Sequence, residues 1–196
     1  MIALLLATRN THKTSEFQSI LGRQFKITDL VAHPEVPNIA ETGKTFEENA
    51  ILKAAGVSRR IPGLVIADDS GLEVDVLAAA PGIYSARYAG TNATDEQNIE
   101  KLLAELRRVR PADDPRRARF RCVLAVARDG DVIRTFEGVV EGKIAERPRG
   151  SCGFGYDPVF IPDGHHQTFA ELVQAEKNKL SHRARAVEKL RRFLSP

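Results

Sequence analysis

The sequence has few cysteines and no apolar segment long enough to cross a membrane. Its two cysteines, Cys122 and Cys152, stand far apart and form no Cys-x-x-Cys or Cys/His cluster, so neither a disulfide framework nor a zinc site is indicated. The apolar run at residues 2–7 is shorter than the apolar region of a signal peptide, and no basic segment precedes it. We therefore expect a soluble, cytoplasmic protein without a membrane partner.

Glycine-rich phosphate-binding loops of the two common types, G-x-x-x-x-G-K-[ST] and G-x-G-x-x-G, are also missing. The 196 residues carry 29 Lys+Arg against 26 Asp+Glu, a net charge of +3 that favours anionic ligands without requiring nucleic acid. With 42% hydrophobic and 28% charged residues, the chain can bury a real core, which excludes general disorder. We expect one domain made of two closely joined lobes.

Strand-like and helix-like apolar patterns alternate along the chain, which predicts an α/β fold. We expect a mixed central sheet flanked by helices, with two lobes and a cleft between them. The predicted helix N-caps are Asn10, Thr45, Thr94 and Ser181. Thr45 and Thr94 are each followed three positions later by Glu or Gln, which predicts capping boxes. The Asp129-Gly130 pair predicts a β-hairpin, and the polar segment 111–115 is the candidate boundary between lobes.

The stretch at residues 64–71 combines a buried strand with acidic residues. Its four apolar residues run directly into Asp68-Asp69-Ser70-Gly71. Ligands of open α/β sheets bind beyond the carboxyl ends of the strands, and two adjacent ionised carboxylates need a cation or donors facing them. A metal site is therefore one interpretation. A solvated turn is the other, because Asp, Ser and Gly all favour turns.

The first predicted helix places a cation where its dipole disfavours one. Lys13 falls in the first turn after Asn10. A bound anion would remove this conflict, and free backbone N–H groups with the Thr8 and Asn10 side chains would complete a phosphate cradle. The alternative is a lysine whose ammonium simply reaches water. The loop acid Glu41 could join Asp69 on a divalent cation, although surface loops carry many acids for solubility.

Residues 150–158 place two aromatic side chains and an acid among several glycines. Such a loop allows close backbone approach to a flat ligand, with stacking and an acceptor beside it, so a purine base would suit it. Lys177, His182 and Arg183 are donors around a helix start that could read carbonyl oxygens or phosphates, or could be ordinary charged residues there. The four arginines at residues 116–121 lack the interleaved aromatics that base stacking requires, which indicates a solvated face.

Six blocks of the sequence, taken together and in order, resemble the inosine triphosphate pyrophosphatase family. They span nearly the whole chain, so their coincidence is far more specific than any one of them. The blocks are Ala7-Thr8-Arg9-Asn10-Thr11-His12-Lys13, Glu41-Thr42-Gly43 with Thr45-Phe46-Glu47-Glu48-Asn49-Ala50, Ala67-Asp68-Asp69-Ser70-Gly71-Leu72, Pro81-Gly82-Ile83-Tyr84-Ser85-Ala86-Arg87-Tyr88, Gly153-Phe154-Gly155-Tyr156-Asp157-Pro158 and Ser181-His182-Arg183.

The resemblance implies one nucleotide pyrophosphatase domain over residues 1–196. This domain would hydrolyse noncanonical purine nucleoside triphosphates (ITP, dITP and XTP) to the monophosphate and pyrophosphate, with Mg²⁺, as a homodimer and without a nucleic acid partner. Asp69 would bind the metal and act as general base, and Glu41 would be a second metal ligand. The residues that would hold the triphosphate are Thr8, Arg9, Asn10, Thr11, His12 and Lys13. Ser70 would contact the substrate. The residues that would surround the base are Phe154, Gly155, Tyr156, Asp157, Lys177, His182 and Arg183.

The chain departs from the family pattern at two places. Arg9 stands where glycine is more frequent, and Ser151-Cys152-Gly153 stands where Thr-Gly-Gly is frequent. Arg9 either adds phosphate affinity or points outward, and neither change removes a proposed catalytic group. Two other functions stay open on the residues alone. One is a pyrophosphatase for modified pyrimidine nucleotides, and the other is a non-enzymatic nucleotide- or nucleic-acid-binding module that uses the basic excess.

Overall fold

Six strands and five helices are described over residues 2–109 and 116–194 of the computed structural model. The strands are β1 (Ile2–Leu6), β2 (Phe25–Asp29), β3 (Val65–Val74), β4 (Arg117–Arg128), β5 (Asp131–Ile144) and β6 (Phe160–Pro162). The helices are α1 (Thr11–Leu21), α2 (Phe46–Ser58), α3 (Asp95–Arg108), α4 (Gln174–Leu180) and α5 (His182–Leu194). The predicted boundary at 111–115 lies outside the described residues. Among those described, no helix is long and apolar enough to cross a bilayer.

The six strands join one sheet in the order β2-β1-β3-β4-β5-β6. β1 lies parallel to β2 and β3, whereas β5 runs antiparallel to β6, so the predicted mixed sheet flanked by helices is confirmed. The turn between β4 and β5 contains Asp129 and Gly130, whose φ angles of 53° and 93° are both left-handed. A two-residue type I′ hairpin turn requires this conformation at both central positions.

The chain forms two units. Unit 1 contains Met1–Asp69, Cys122–Gly138 and Arg183–Pro196, and unit 2 contains Ser70–Arg121 and Val139–His182. The chain passes from one unit to the other four times. Three of these passages fall inside β3, β4 and β5, and the fourth follows the first residue of α5.

Each unit has its own hydrophobic core. In unit 1 the apolar faces of α1 and α5 pack with β1, β3 and β4, and its core includes Leu4, Leu6, Phe17, Ile66, Leu124, Val187 and Leu190. In unit 2 the stripe of α3 packs with β3, β4 and an aromatic group, and its core includes Leu72, Leu102, Phe120, Tyr156, Phe160 and Phe169. The apolar stripes of α1, α3 and α5 thus face the cores, as their 3.6-residue spacing predicts.

Two of the predicted N-caps are confirmed in full. The Asn10 side chain accepts hydrogen bonds from the N–H groups of His12 and Lys13 at the start of α1. At the start of α3, Thr94 and Gln97 form both hydrogen bonds of a capping box. Each cap satisfies N–H groups that have no partner inside the helix, and so fixes the residue at which the helix begins.

The other two caps differ in detail from the prediction. Thr45 accepts the N–H of Glu48 as expected, but the Glu48 carboxylate accepts the N–H of Lys44, one residue before the position that a capping box requires. Ser181 ends the short helix α4, which the sequence did not predict, and α5 begins at the next residue. The last two helices are therefore nearly continuous in sequence.

Of the two interpretations of residues 68–71, the solvated turn is wrong, because β3 continues through them. Asp68 and Asp69 are both buried and are met there by cationic side chains, so the strand does not have to turn outward to solvate them. The neighbouring strand β1, in contrast, ends at Leu6, which pairs with Ile66. The two acids therefore lie just beyond the carboxyl end of β1, where α/β sheets bind ligands.

We expect Leu124→Ala to lower the free energy of unfolding by about 2–5 kcal/mol, because Leu124 is fully buried in the unit 1 core and its truncation leaves a cavity. Urea denaturation measures the change. Ile133→Ala on β5 of the same unit is the control, since Ile133 is 46% exposed, and it should cost about 1 kcal/mol or less. Equal losses from both substitutions would contradict the assigned core.

Candidate active site

Asp68 and Asp69 meet different partners, because successive side chains of a strand point to opposite faces of the sheet. Each carboxylate belongs to a separate group of charged residues within unit 1. The Asp68 cluster comprises Lys13, Glu16, Asp68 and Arg183 together with the thiol of Cys122. The Asp69 cluster comprises Glu41, Lys53 and Asp69.

The Asp68 cluster is a buried chain of ion pairs. Asp68 Oδ1 accepts a hydrogen bond from the Lys13 ammonium, and Oδ2 accepts from Arg183 Nε and from Cys122 Sγ, both at 3.1 Å. The Arg183 guanidinium also donates to Glu16. Since the side chains of Arg183 and Asp68 are 2% and 0% exposed, this chain connects α1 to α5 through the unit interior.

The formal charges of the Asp68 cluster balance, with two cations facing two carboxylates. Burial alone would raise the pKa of Asp68, but the Arg183 and Lys13 cations outweigh burial and hold this pKa well below its ordinary value of 3.8. Burial and the Asp68 carboxylate raise the pKa of the Cys122 thiol, which therefore stays protonated and donates. The cluster is electrically satisfied without a further ion.

The Asp69 cluster is organised by Lys53, a residue that the sequence reasoning missed. Lys53 Nζ donates to Asp69 Oδ1 at 2.8 Å, to Glu41 Oε1 at 2.9 Å and to the Asp68 carbonyl oxygen at 2.8 Å. Burial would lower the pKa of Lys53, but the Asp69 and Glu41 carboxylates outweigh burial and raise it. The ammonium thus stays charged and holds the two predicted metal ligands next to each other.

In the Asp69 cluster a single ammonium, that of Lys53, donates to two carboxylates. Burial raises the pKa of Asp69, and the nearby Glu41 charge adds to this effect against the attraction of Lys53. Asp69 Oδ2 is also buried without a hydrogen-bond partner. A buried acceptor with no donor is unfavourable, and a cation beside it would supply the missing contact.

These donors fit a hard divalent cation. Within the described part of the chain, no group of three or more His, Cys, Asp or Glu side chains could hold a metal ion by itself. Mg²⁺, however, usually binds proteins through one or two carboxylates and completes its octahedron with water and substrate phosphate oxygens. Asp69 and Glu41 could supply the protein ligands of such a site.

The turn before α1 is more internally bonded than a free phosphate cradle would be. Asn10 Oδ1 accepts the N–H groups of His12 at 2.9 Å and Lys13 at 3.3 Å, and Thr8 Oγ1 accepts the Asn10 N–H at 3.1 Å. These three N–H groups therefore already have acceptors. The Lys13 ammonium and the positive end of the helix dipole still make this turn favourable for an anion.

Arg9 binds its own chain. Its guanidinium donates to Asn38 Oδ1 at 3.0 Å, to the Val36 carbonyl oxygen at 2.6 Å and, at 3.5 Å, to the carbonyl oxygen of His33. These bonds tie the turn before α1 to the loop that leads to Glu41. Of the two interpretations offered by the sequence, simple outward pointing is therefore excluded.

Unit 2 contains the predicted base-binding loop, and its acid is already engaged. Asp157 Oδ2 accepts hydrogen bonds from Lys177 Nζ at 2.6 Å and from the Phe154 N–H at 2.9 Å. The Lys177 ammonium lies 5.1 Å from the centre of the Phe154 ring. A side chain at Gly153 would overlap the Asp157 carboxylate, so this position requires glycine. The loop is thus fixed around a buried ion pair.

Other predicted base-binding residues lie in the interior of unit 2. Tyr156 is part of the core, and its hydroxyl donates to the Ser85 carbonyl oxygen at 2.9 Å. The buried His182 ring stacks on Phe120, with 4.7 Å between the ring centres. Ser70 is a half-buried residue of β3. The half-buried Phe154 ring is therefore the better candidate for stacking on a ligand.

The predicted site residues divide between the two units. The phosphate and metal residues, Thr8 to Lys13, Glu41 and Asp69, belong to unit 1, and so does Arg183. The other predicted substrate-binding residues belong to unit 2, namely Ser70, Phe154, Gly155, Tyr156, Asp157, Lys177 and His182. Lys53 could have been found from its helical position, because on α2 it lies three residues after Ala50 and four before Val57, which are both buried, and a solvent-facing lysine is unexpected on that face.

The chain was compared with known proteins. The family model described as "Ham1 family" matches residues 4–193. A protein of Bacillus subtilis named dITP/XTP pyrophosphatase is 51% identical over 191 residues, covering 97% of this chain and 96% of that protein. A protein of Bacillus licheniformis with the same name is 50% identical over 195 residues, covering 99% and 98%.

Solved structures give the same result. A HAM1 protein from Coxiella burnetii has a TM-score of 0.88 and 43% identity, covering 99% of this chain and 98% of its own. The Ham1 protein of Staphylococcus aureus has a TM-score of 0.85 and 41% identity, covering 98% and 97%. These likenesses extend over the whole described fold.

We expect Asp68→Asn to destabilise the protein by about 3–5 kcal/mol at pH 7, because it leaves Lys13 and Arg183 without their shared carboxylate. The pKa of Asp68 is lower in the folded chain than its ordinary 3.8. Its charge therefore stabilises the fold above that pH, and this contribution is lost as the pH falls through the folded pKa. Urea denaturation at pH 7 and near pH 3 should show a difference between variant and wild type that shrinks in acid.

The control for this prediction is Asp163→Asn. Asp163 pairs with Arg117 through a side chain that is 51% exposed, and exposed pairs contribute about 1 kcal/mol or less. A pH-independent effect of Asp68→Asn, or an equal effect of the control, would contradict the charge balance assigned to the Asp68 cluster.

Proposed function

The chain belongs to the Ham1 family, and on this basis we propose that it is a nucleoside triphosphate pyrophosphatase that clears noncanonical purine nucleotides. The substrates are ITP, dITP and XTP, and the products are the nucleoside monophosphate and pyrophosphate. The substrate assignment is supported by the relatives near 50% identity that are named dITP/XTP pyrophosphatase. The six sequence blocks that resemble the inosine triphosphate pyrophosphatase family agree with it.

One observation carries the chemistry. Asp69 is a buried carboxylate with a raised pKa, and its Oδ2 has no hydrogen-bond partner. A general base works best when its pKa lies closer to the operating pH than that of an ordinary carboxylate. Oδ2 is therefore the atom that we assign to take the proton from the attacking water.

The metal site is the second part of the proposal. Asp69 and Glu41 would hold a divalent cation, for which we propose Mg²⁺. When bound, this ion neutralises phosphate charge and favours loss of a proton from water. Lys53 keeps the two carboxylates in position, since it donates to both.

The leaving pyrophosphate needs positive charge, which the turn before α1 supplies. Lys13 lies at the positive end of the α1 dipole, and its ammonium donates to Asp68. An ammonium has three protons, so Lys13 can donate to a phosphate oxygen while Asp68 keeps it in place. Charge that develops as the bond between the α and β phosphates breaks is stabilised in this way.

Base selection belongs to unit 2. Phe154 offers a face for stacking, and the Lys177 ammonium beside it offers protons to a purine 6-oxo group. Adenine carries an amine at that position and would leave a buried donor without an acceptor, which costs about 1–3 kcal/mol. Arg183 was predicted to contact the base as well. Its contacts with Asp68 and Glu16 favour a role in holding Lys13.

We extend the proposal to a cytoplasmic homodimer without a nucleic acid partner. The two cysteines are both free, which suits a reducing compartment. The arginines of β4 that could have attracted nucleic acid are engaged with acids. Arg117 pairs with Asp163, and Arg119 pairs with Glu141. The dimer is implied by the family resemblance alone, and sedimentation of the purified protein measures it.

With Mg²⁺ present, the purified protein should release pyrophosphate from ITP and XTP, with kcat/KM at least about 10- to 100-fold higher than for ATP because of the unpaired donor. GTP should also be a poor substrate. Product analysis by ion chromatography measures the release, and modified pyrimidine triphosphates belong in the same panel. Orthophosphate as first product, or preference for a pyrimidine, would contradict the proposal.

Two substitutions should separate the base from the second metal ligand. Asp69→Asn should lower kcat by about 10²–10⁴ with the fold intact by circular dichroism, because the proton acceptor is lost. Glu41→Gln should retain turnover but raise the Mg²⁺ concentration for half-maximal activity by about tenfold, in the range reported for weakened metal sites. Glu35→Gln, in the exposed loop before Glu41, is the control. Near-normal turnover of Asp69→Asn would remove this residue from the role of base.

A further inference from the structure

The base-binding loop of unit 2 is held by a side chain that the proposed function does not yet use. Asp95 Oδ2 accepts a hydrogen bond from the Gly155 N–H at 2.6 Å. Asp95 is the first residue of α3, directly after the N-cap Thr94. An acid at this position is favourable for the helix dipole, so the sequence alone explains it as part of a helix start. The contact with Gly155 is additional.

Packing against neighbouring side chains does not determine the conformation of Gly155. Its φ is +61°, and a Cβ built on it would have no atom within 4 Å. Glycine enters many backbone conformations at little cost, so open space around it would leave the loop free to move. A short hydrogen bond from a backbone N–H to a carboxylate is of the strong, charge-assisted kind. The Asp157 N–H donates to the Phe154 carbonyl oxygen at 3.3 Å and closes a turn around Gly155, and Asp95 adds a second restraint to this turn from outside the loop.

The residue before Gly155 is Phe154, whose ring is the proposed stacking surface for the base. The Phe154 N–H donates to Asp157 Oδ2 at 2.9 Å, and Gly155 is bonded to Asp95. Two carboxylates thus fix two successive peptide N–H groups, one through the ion pair with Lys177 and the other from the start of α3. These two bonds hold the peptide groups on either side of Phe154, from which its ring projects.

We propose that Asp95 is a positioning residue for purine recognition. By fixing Gly155, it orients the Phe154 ring for stacking and keeps that ring beside the Lys177 ammonium. It does not contact the substrate itself. This assignment rests on the proposed function, since it takes the loop to be the base-binding element, and it adds to that function a residue of α3 that determines affinity for the base.

Isothermal calorimetry with two probes tests the proposal without requiring turnover. IMP carries a base and one phosphate, whereas inorganic tripolyphosphate carries phosphates alone, and both are titrated with Mg²⁺ present. Asp95→Ala should weaken IMP binding by about tenfold, which corresponds to one positioning hydrogen bond. The same substitution should leave tripolyphosphate binding within about twofold, because Lys13, Glu41 and Asp69, the residues assigned to phosphate and metal, belong to unit 1, whereas Asp95 belongs to unit 2.

Glu96→Ala is the matched control. Glu96 is exposed, carries the same charge and lies in the same first turn of α3, but the acid that accepts the Gly155 N–H is Asp95. It should leave binding of both probes unchanged. Asp95→Asn keeps an acceptor oxygen and should restore most of the IMP affinity. Hydrogen exchange of the Gly155 amide, measured by NMR, should be faster in Asp95→Ala and unchanged in Glu96→Ala.

The outcomes are distinguishable. Wild-type IMP affinity in Asp95→Ala, an equal loss for IMP and tripolyphosphate, or an unchanged exchange rate of the Gly155 amide would each overturn the assignment of Asp95. Failure of the proposed function takes another form, in which the wild-type protein releases no pyrophosphate from ITP. A wild-type protein that binds tripolyphosphate but not IMP would overturn the assignment of the base loop, and that of Asp95 with it.

Discussion

Two adjacent carboxylates in the buried part of one strand are the constraint on which the rest of unit 1 depends. Because β3 does not turn at Asp68 and Asp69, both charges must be compensated inside the protein, and strand alternation sends them to opposite faces. Lys13 and Arg183 meet the first and Lys53 meets the second. The positions of α1, α2 and α5 therefore have an electrostatic reason as well as a hydrophobic one.

The two clusters compensate their carboxylates differently. The Asp68 cluster supports the fold, and the Asp69 cluster is the one to which we assign the chemistry. The Asp68 cluster has equal numbers of positive and negative groups, and its members are fixed by one another. In the Asp69 cluster Lys53 contacts both acids, and Asp69 Oδ2 is left as a buried oxygen without a donor. A buried oxygen without a donor is unfavourable, and in the proposed mechanism a divalent cation would supply the contact that it lacks.

Much of the fold could be predicted from local sequence, because α1, α3 and the hairpin depend on caps, apolar spacing and turn residues that lie close together in the chain. The site was predicted less completely. Asp69 and Glu41 stand out as acids near a strand end and in a loop, but the burial of Lys53 depends on Asp69, which follows sixteen positions later. The continuation of β3 through residues 68–71 depends on Arg183, 115 positions away from Asp68. Short-range patterns do not contain such partners.

The separation of Asp68 from Arg183 has a consequence for the protein during its synthesis. The ribosome completes β3 long before it reaches α5, so the growing chain carries a strand acid whose buried arginine partner does not yet exist. Unit 1 also draws on three separate segments, the last of which begins at Arg183. The Asp68 cluster is therefore completed only after Arg183 has been synthesised, and a chain truncated before Arg183 has Lys13, Glu41 and Asp69 but lacks the arginine that contacts Asp68.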